Sequence, residues 1–199
     1  MRRLSFLGPV LLLVACARGT RTPDPASRHP LHPEDPKAER PSEAAVGERA
    51  PPFSVASLTT GGKVTVPAGQ VTLVFFWATW NEPCKKSFPQ LQELYVKYHA
   101  RGLEIAALSV DDESEGCAET NGWGDTCLRR GNIVADAARS WGAKFPVGWD
   151  RGHAIASQWR PAHMPTFYIL DRHGIVRHVH GGWHDGEEAT VDAEVLALL

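Results

Sequence analysis

The run Val71-Thr72-Leu73-Val74-Phe75-Phe76-Trp77 constrains this chain most, because seven consecutive residues, nearly all apolar or aromatic, suit a strand buried on both faces. Such a strand belongs at the centre of a sheet. Past Pro83, residues 84–99 place Phe88, Leu91, Leu94, Tyr95 and Tyr98 at helical spacing, and Gly102 supplies a stop. Residues 103–110 form a second apolar strand run, so strand, helix and strand follow one another as in a parallel crossover. Upstream, 53–58 and 63–66 are β-prone stretches around Thr59-Thr60-Gly61-Gly62, a hairpin signal. Downstream, the pattern predicts a helix over 132–141, a strand over 145–149 and a short helix over 153–159. A hairpin of 167–170 with 175–180 about Asp171-Arg172-His173-Gly174 follows, then a helix over 187–199. The expected class is α/β, with a parallel unit first and an antiparallel hairpin last.

A chain of 199 residues with 43% hydrophobic content supports one ordinary core plus tails. Its formal net charge of -2, with both signs interspersed, offers no footprint for nucleic acid and no polybasic patch for an anionic membrane. Arg2 and Arg3 precede an apolar run over 4–14 that ends at Ala15-Cys16, the layout of an export signal. Eleven residues of helix cover about 16 Å, against about 30 Å of bilayer core, which argues against a permanent span. Residues 17–50 are rich in Pro, Arg, Glu, Ser and His without apolar periodicity, and read as a tether. The expected organisation is a signal over 1–16, the tether over 17–50, and one domain over 51–199 with an insertion at about 111–130.

Two segments carry a resemblance. Phe76-Trp77-Ala78-Thr79-Trp80-Asn81-Glu82-Pro83-Cys84-Lys85-Lys86-Ser87-Phe88-Pro89 is similar to the active-site segment of the envelope thioredoxin-like reductases of the TlpA and ResA type. In that family the segment runs Trp-Ala-x-Trp-Cys-x-Pro-Cys, with a helical proline a few residues later. Met164-Pro165-Thr166 resembles the family's second signature, a cis-proline loop facing the cysteines. The resemblance covers roughly residues 49–199. It implies a thioredoxin-like fold, a central mixed sheet flanked by helices, here with an N-terminal β-hairpin extension, and thiol-disulfide exchange with protein thiols or disulfides of envelope clients. It implies no cofactor and a monomer. Leu13-Val14-Ala15-Cys16 also resembles the bacterial lipobox, which makes Cys16 a lipidation site and the only route to a membrane. Ala17 after it favours, by analogy, a periplasm-facing outer-membrane location.

The departure from the family lies at Asn81, which stands where the attacking cysteine belongs, whereas Cys84 occupies the resolving position. An amide neither attacks nor forms a disulfide, so the dithiol cycle within the motif is closed. Three readings of Cys84 follow. It is a small core residue in a domain now used for binding. Or it is a thiol at a helix start, active in monothiol exchange or, as in peroxiredoxins, peroxide reduction. Or it works with Cys117 or Cys127 of the insertion, since loops leaving the carboxyl ends of parallel strands gather on one edge. Against the third stands a structural Cys117–Cys127 disulfide, worth about 3 kcal/mol in the chain-entropy model. An exported chain permits such a bond.

Trp80, Asn81, Glu82, Pro83, His163, Met164, Pro165 and Thr166 are expected to line the site. Backbone beside Pro165 suits pairing with an extended peptide, which needs no catalysis. His163 is a candidate base beside Cys84 or a solvated loop residue, and Glu82 an exposed helix-start carboxylate. His173, His178, His180 and His184 cluster near the last hairpin, with His178 and His180 on one strand face. Without an accompanying cysteine or carboxylate at ligand spacing, an exposed strand face is expected there rather than a metal site.

Overall fold

The computed structural model of the chain describes residues 44–112, 124–184 and 186–199, and for 124–130 the backbone alone. Cys16, Cys117 and the side chain of Cys127 lie outside the described residues, as does the expected tether up to residue 43. The strands are β1 (Ser54–Ala56), β2 (Lys63–Thr65), β3 (Val71–Trp77), β4 (Leu103–Ser109), β5 (Val147–Trp149), β6 (Thr166–Leu170) and β7 (Val176–Gly181). The helices are α1 (Glu82–Tyr98), α2 (Gly124–Ser140), α3 (Ala154–Trp159) and α4 (Glu187–Leu198).

Five strands form one mixed sheet in the order β5-β4-β3-β6-β7, with β3 at its centre. β3 runs parallel to β4 and antiparallel to β6, and β6 and β7 are an antiparallel hairpin. Every residue of β3 is buried, as its unbroken apolar run requires. Because side chains alternate along a strand, Val71, Leu73, Phe75 and Trp77 enter one core with Phe88 and Leu91 of α1, Val134 of α2 and Val191 of α4. Val74 and Phe76 enter a second, with Trp159 of α3, Tyr168 and Val64. The thioredoxin-like fold class is thus borne out.

The β1–β2 hairpin lies against β5, where the N–H of Leu58 donates to Val147 O at 2.7 Å. A Cβ at Gly148 would meet Val55 Cγ2 at 2.5 Å, so β5 carries glycine where the hairpin crosses it.

Two boundaries differ from expectation. Residues 44–50, expected in the tether, lie against the domain: Ala44 is buried, its N–H donates to Trp159 O, and Gly47 and Glu48 hydrogen-bond with Val176. Residues 44–50, Ala-Ala-Val-Gly-Glu-Arg-Ala, show no apolar periodicity, and contacts made through backbone groups leave none to read. α2 begins at Gly124, not 132, so the insertion ends in helix and its Cys127 lies on helical backbone.

Candidate active site

The site grows from the carboxyl end of β3. The Val110 N–H donates to Trp77 O at 2.8 Å, closing the chain after β3 against the end of β4. A turn follows, in which the Asn81 N–H donates to Ala78 O at 3.2 Å. Asn81 is extended (φ -99°, ψ 111°), and its Oδ1 accepts from the Cys84 N–H at 3.0 Å. That is an N-cap, the position in which asparagine ranks among the best residues. Glu82 and Pro83 open α1 where an N–H has no helical acceptor, so proline is tolerated there. Asn81 therefore has a structural role, since it satisfies one of the orphan donors at the start of α1.

Cys84 lies in the first turn with 0% of its surface exposed, packed in the core with Trp77 and Phe88. Burial pushes its thiol up to about 12, and the negative charge of Asp111 adds to the effect, whereas a backbone hydrogen bond at Ala78 acts in the opposite sense. A thiol so placed is protonated at neutral pH and supplies almost no thiolate. Ser87 Oγ donates to Cys84 O at 2.7 Å and stiffens the same turn.

Asp111 is the site residue that sequence reasoning passed over, assigning it to the start of an insertion. Its carboxylate is buried and accepts from the Thr79 N–H (3.0 Å to Oδ2), the Thr79 hydroxyl and the Ser109 hydroxyl (2.6 Å). It ties the end of β4 to the loop before Trp80. A polar residue directly after a buried strand, at the edge where the helix begins, was the signal that could have found it.

Across the sheet, the register pairing Phe76 with Thr166 sets the Met164-Pro165 segment at the same end as α1. The Met164–Pro165 peptide bond is cis and Pro165 is buried. Gly182 N–H donates to Pro165 O at 2.7 Å, and Thr166 Oγ1 donates to His163 O at 2.6 Å. The Met164 N–H and C=O make no hydrogen bond among the described residues. Trp80 is 70% exposed and forms the rim, with Glu82 and Pro83 exposed beside it. His163 is exposed and its ring covers Gly181, where a Cβ would come within 2.6 Å of it. Among the described residues His163 makes no hydrogen bond with Cys84.

The histidines of the last hairpin separate. His173 lies in the β6–β7 turn, and His178 and His180 face α4. His178 Nδ1 is 3.1 Å from Glu194 Oε1, while His180 lies between Glu187 (3.1 Å) and Glu194 (2.6 Å). His184 contributes its N–H to Glu187 at 2.9 Å. The carboxylates missing from the local sequence arrive from α4 as close polar partners. Among the described residues no group of three or more such side chains is arranged to hold a metal ion.

Residues 46–179 match the AhpC/TSA family. Among curated proteins, the thiol-disulfide oxidoreductase ResA of Bacillus anthracis is 33% identical over 133 residues, 66% of each chain. ResA of Geobacillus thermodenitrificans is 29% identical over 136 residues, 68% of each. The alignments thus span about two thirds of these relatives' length. Among solved structures, a Chlorobium tepidum chain assigned as a thiol:disulfide interchange protein DsbE superposes with a TM-score of 0.63 at 26% identity, covering 77% of this chain and 97% of its own. StoA from Bacillus subtilis has the same fold, with a TM-score of 0.52 at 22% identity over 72% of this chain and 98% of its own.

Proposed function

From the premise that this chain belongs to the AhpC/TSA family and is related to thiol-disulfide oxidoreductases of the ResA kind, we propose that its domain binds extended segments of thiol- or disulfide-bearing proteins without the two-cysteine cycle. The observation that carries this reading is the state of Cys84: fully buried, its thiol held up to about 12, and faced at Asn81 by a capping amide in place of a second thiol. Exchange needs a thiolate within reach of a disulfide, and peroxide reduction needs one in an open pocket; burial opposes both. Binding requires neither. The open backbone groups of Met164 offer strand-type hydrogen bonds, and the exposed Trp80 offers an apolar rim.

The site residues of this reading are Trp80, Asn81, Glu82, Pro83, Cys84 and the loop 163–166. The chain is exported and tethered through lipid on Cys16, on the strength of its leader and lipobox-like residues. Cys117 and Cys127 then face an oxidising compartment, where a disulfide between them is stable. An insulin-reduction assay tests the reading: wild type is expected to show no activity above that of Cys84→Ser. Activity lost in Cys84→Ser would reject it in favour of exchange through Cys84. Binding of an unfolded, cysteine-containing polypeptide is expected to weaken in Trp80→Ala, measured by fluorescence anisotropy.

A further inference from the structure

β7 carries a polar cluster on the face that it turns to α4. Both ring nitrogens of His180 meet carboxylate oxygens: Nδ1 is 3.1 Å from Glu187 Oε1, and Nε2 is 2.6 Å from Glu194 Oε2. The three side chains are mostly buried, with 15%, 13% and 20% of their surface exposed in turn. The remaining oxygens are also taken. Glu187 Oε2 accepts from the His184 N–H at 2.9 Å, and Glu194 Oε1 lies 3.1 Å from His178 Nδ1. On β6 the cross-strand partner of His180 is Phe167, which brings no charge. Among the described residues no lysine or arginine pairs with Glu187 or Glu194, and Asp192 of α4 is turned to Lys97 of α1, 2.8 Å away.

A neutral imidazole donates from one nitrogen and presents a lone pair at the other, whereas the imidazolium donates from both. A neutral ring between two ionised glutamates would set its lone pair against a carboxylate oxygen, where little water screens the repulsion. The docked arrangement therefore requires one more proton than a neutral ring and two carboxylates hold. Placing that proton on a glutamate leaves the count the same.

This cluster stands a few residues from the candidate site. Glu187 opens α4, and its N–H donates back to His184 O at 3.1 Å. Trp183 packs on Phe167, with ring centroids 5.2 Å apart. The Gly182 N–H donates to Pro165 O at 2.7 Å, and the His163 ring covers Gly181. Short contacts thus run from His180 to the 163–166 loop.

We propose that the cluster is a pH-sensitive fastening: α4 and residues 181–184 dock on β7 with uptake of one proton, and the hold on the 163–166 loop loosens as pH rises above the histidine range. Undocked histidine has given up its proton above about pH 6.5, so docking must then take one up and is disfavoured by up to about tenfold for each pH unit. Below about pH 4.3 undocked glutamates take up protons themselves, and docking weakens again. The fastening does not depend on what the site does; its effect on a bound segment rests on the binding reading above.

Amide hydrogen exchange of the full chain, corrected for the pH dependence of exchange itself, reads the fastening at about pH 6 and about pH 8. Protection of Gly182 and of the α4 amides is expected to fall by about tenfold between them, while β3 and β4 keep theirs. Glu187→Gln is the deciding variant. Its side-chain carbonyl can accept from the His184 N–H while its NH2 donates to His180 Nδ1, so a neutral ring is satisfied and docking needs no extra proton. Gly182 in Glu187→Gln is expected to keep the same protection at both pH values, above the unfastened level that His180→Ala sets. Equal protection of wild type at both pH values, an undiminished pH dependence in Glu187→Gln, or protection of Glu187→Gln no greater than that of His180→Ala overturns the proposal. Exchange is read without a partner, so failure of the binding reading leaves this result standing.

Discussion

At the scale of single residues, Asn81 and Cys84 have separate roles: one caps a helix and the other packs in the core. Asn81 caps α1 through the Cys84 N–H, so Asn81→Ala is expected to lower stability by about 1 kcal/mol in urea unfolding, without changing the exposure of Cys84. The thiol of Cys84 also has a pH signature. Its folded pKa, about 12, stands above the unfolded value of about 8.5 to 9, so the neutral form is the one the fold favours. The stability tied to it is complete below about pH 8 and is lost as pH rises from about 9 toward 12, because the unfolded chain releases the proton first. Relative to Cys84→Ala, wild type should lose about 1.4 kcal/mol per pH unit across that window. Equal slopes for the two proteins in denaturation between about pH 9 and 11 would contradict the buried thiol. Cys84 and Asn81 could be read from the motif alone, whereas the capping bond and the burial required the fold.

At the scale of elements, the hairpin and α4 are held by different physics. The β1–β2 hairpin crosses β5 at Gly148, where a Cβ would come within 2.5 Å of Val55 Cγ2 and 3.2 Å of Val64 Cγ2. Gly148→Ala is therefore expected to lift the hairpin and destabilise by about 1–3 kcal/mol, seen as a lowered melting temperature and faster hydrogen exchange at Leu58. α4 is tied to β7 by His178 and His180 against Glu187 and Glu194, with His180 mostly buried between two carboxylates. His180→Ala leaves both glutamates without that partner and is expected to raise hydrogen exchange throughout α4, at a cost of about 1 kcal/mol, while β3 and β4 keep their protection. The strands and helices of both ends were legible as runs and periods, because backbone propensity and side-chain alternation are local. The glutamate partners of the histidines were not, since they stand on another element seven and fourteen residues along the chain.

At the scale of the molecule, the sheet order sets both ends of the domain. Its central β3 sends the chain into α1 at one end, where the antiparallel pairing with β6 also delivers the Met164-Pro165 segment. If Asn81 is what closes the exchange cycle, Asn81→Cys should restore a disulfide with Cys84, detected as a loss of two hydrogens by mass spectrometry, together with insulin reduction absent from wild type. The variant gives up the asparagine cap, so a loss of about 1 kcal/mol in stability is expected alongside the gain.

The sequence by itself determined the α/β class, the central strand, the helix after it and the place of Asn81 and Cys84 in the segment that resembles an active site. Each is written in consecutive residues or in a motif of fixed spacing. Only the tertiary structure decided that Cys84 is sealed from solvent, that Asp111 holds the loop before it, and that His180 stands between two carboxylates of α4. Burial and charge at a point are sums over groups far apart in the chain, and no local pattern carries that sum.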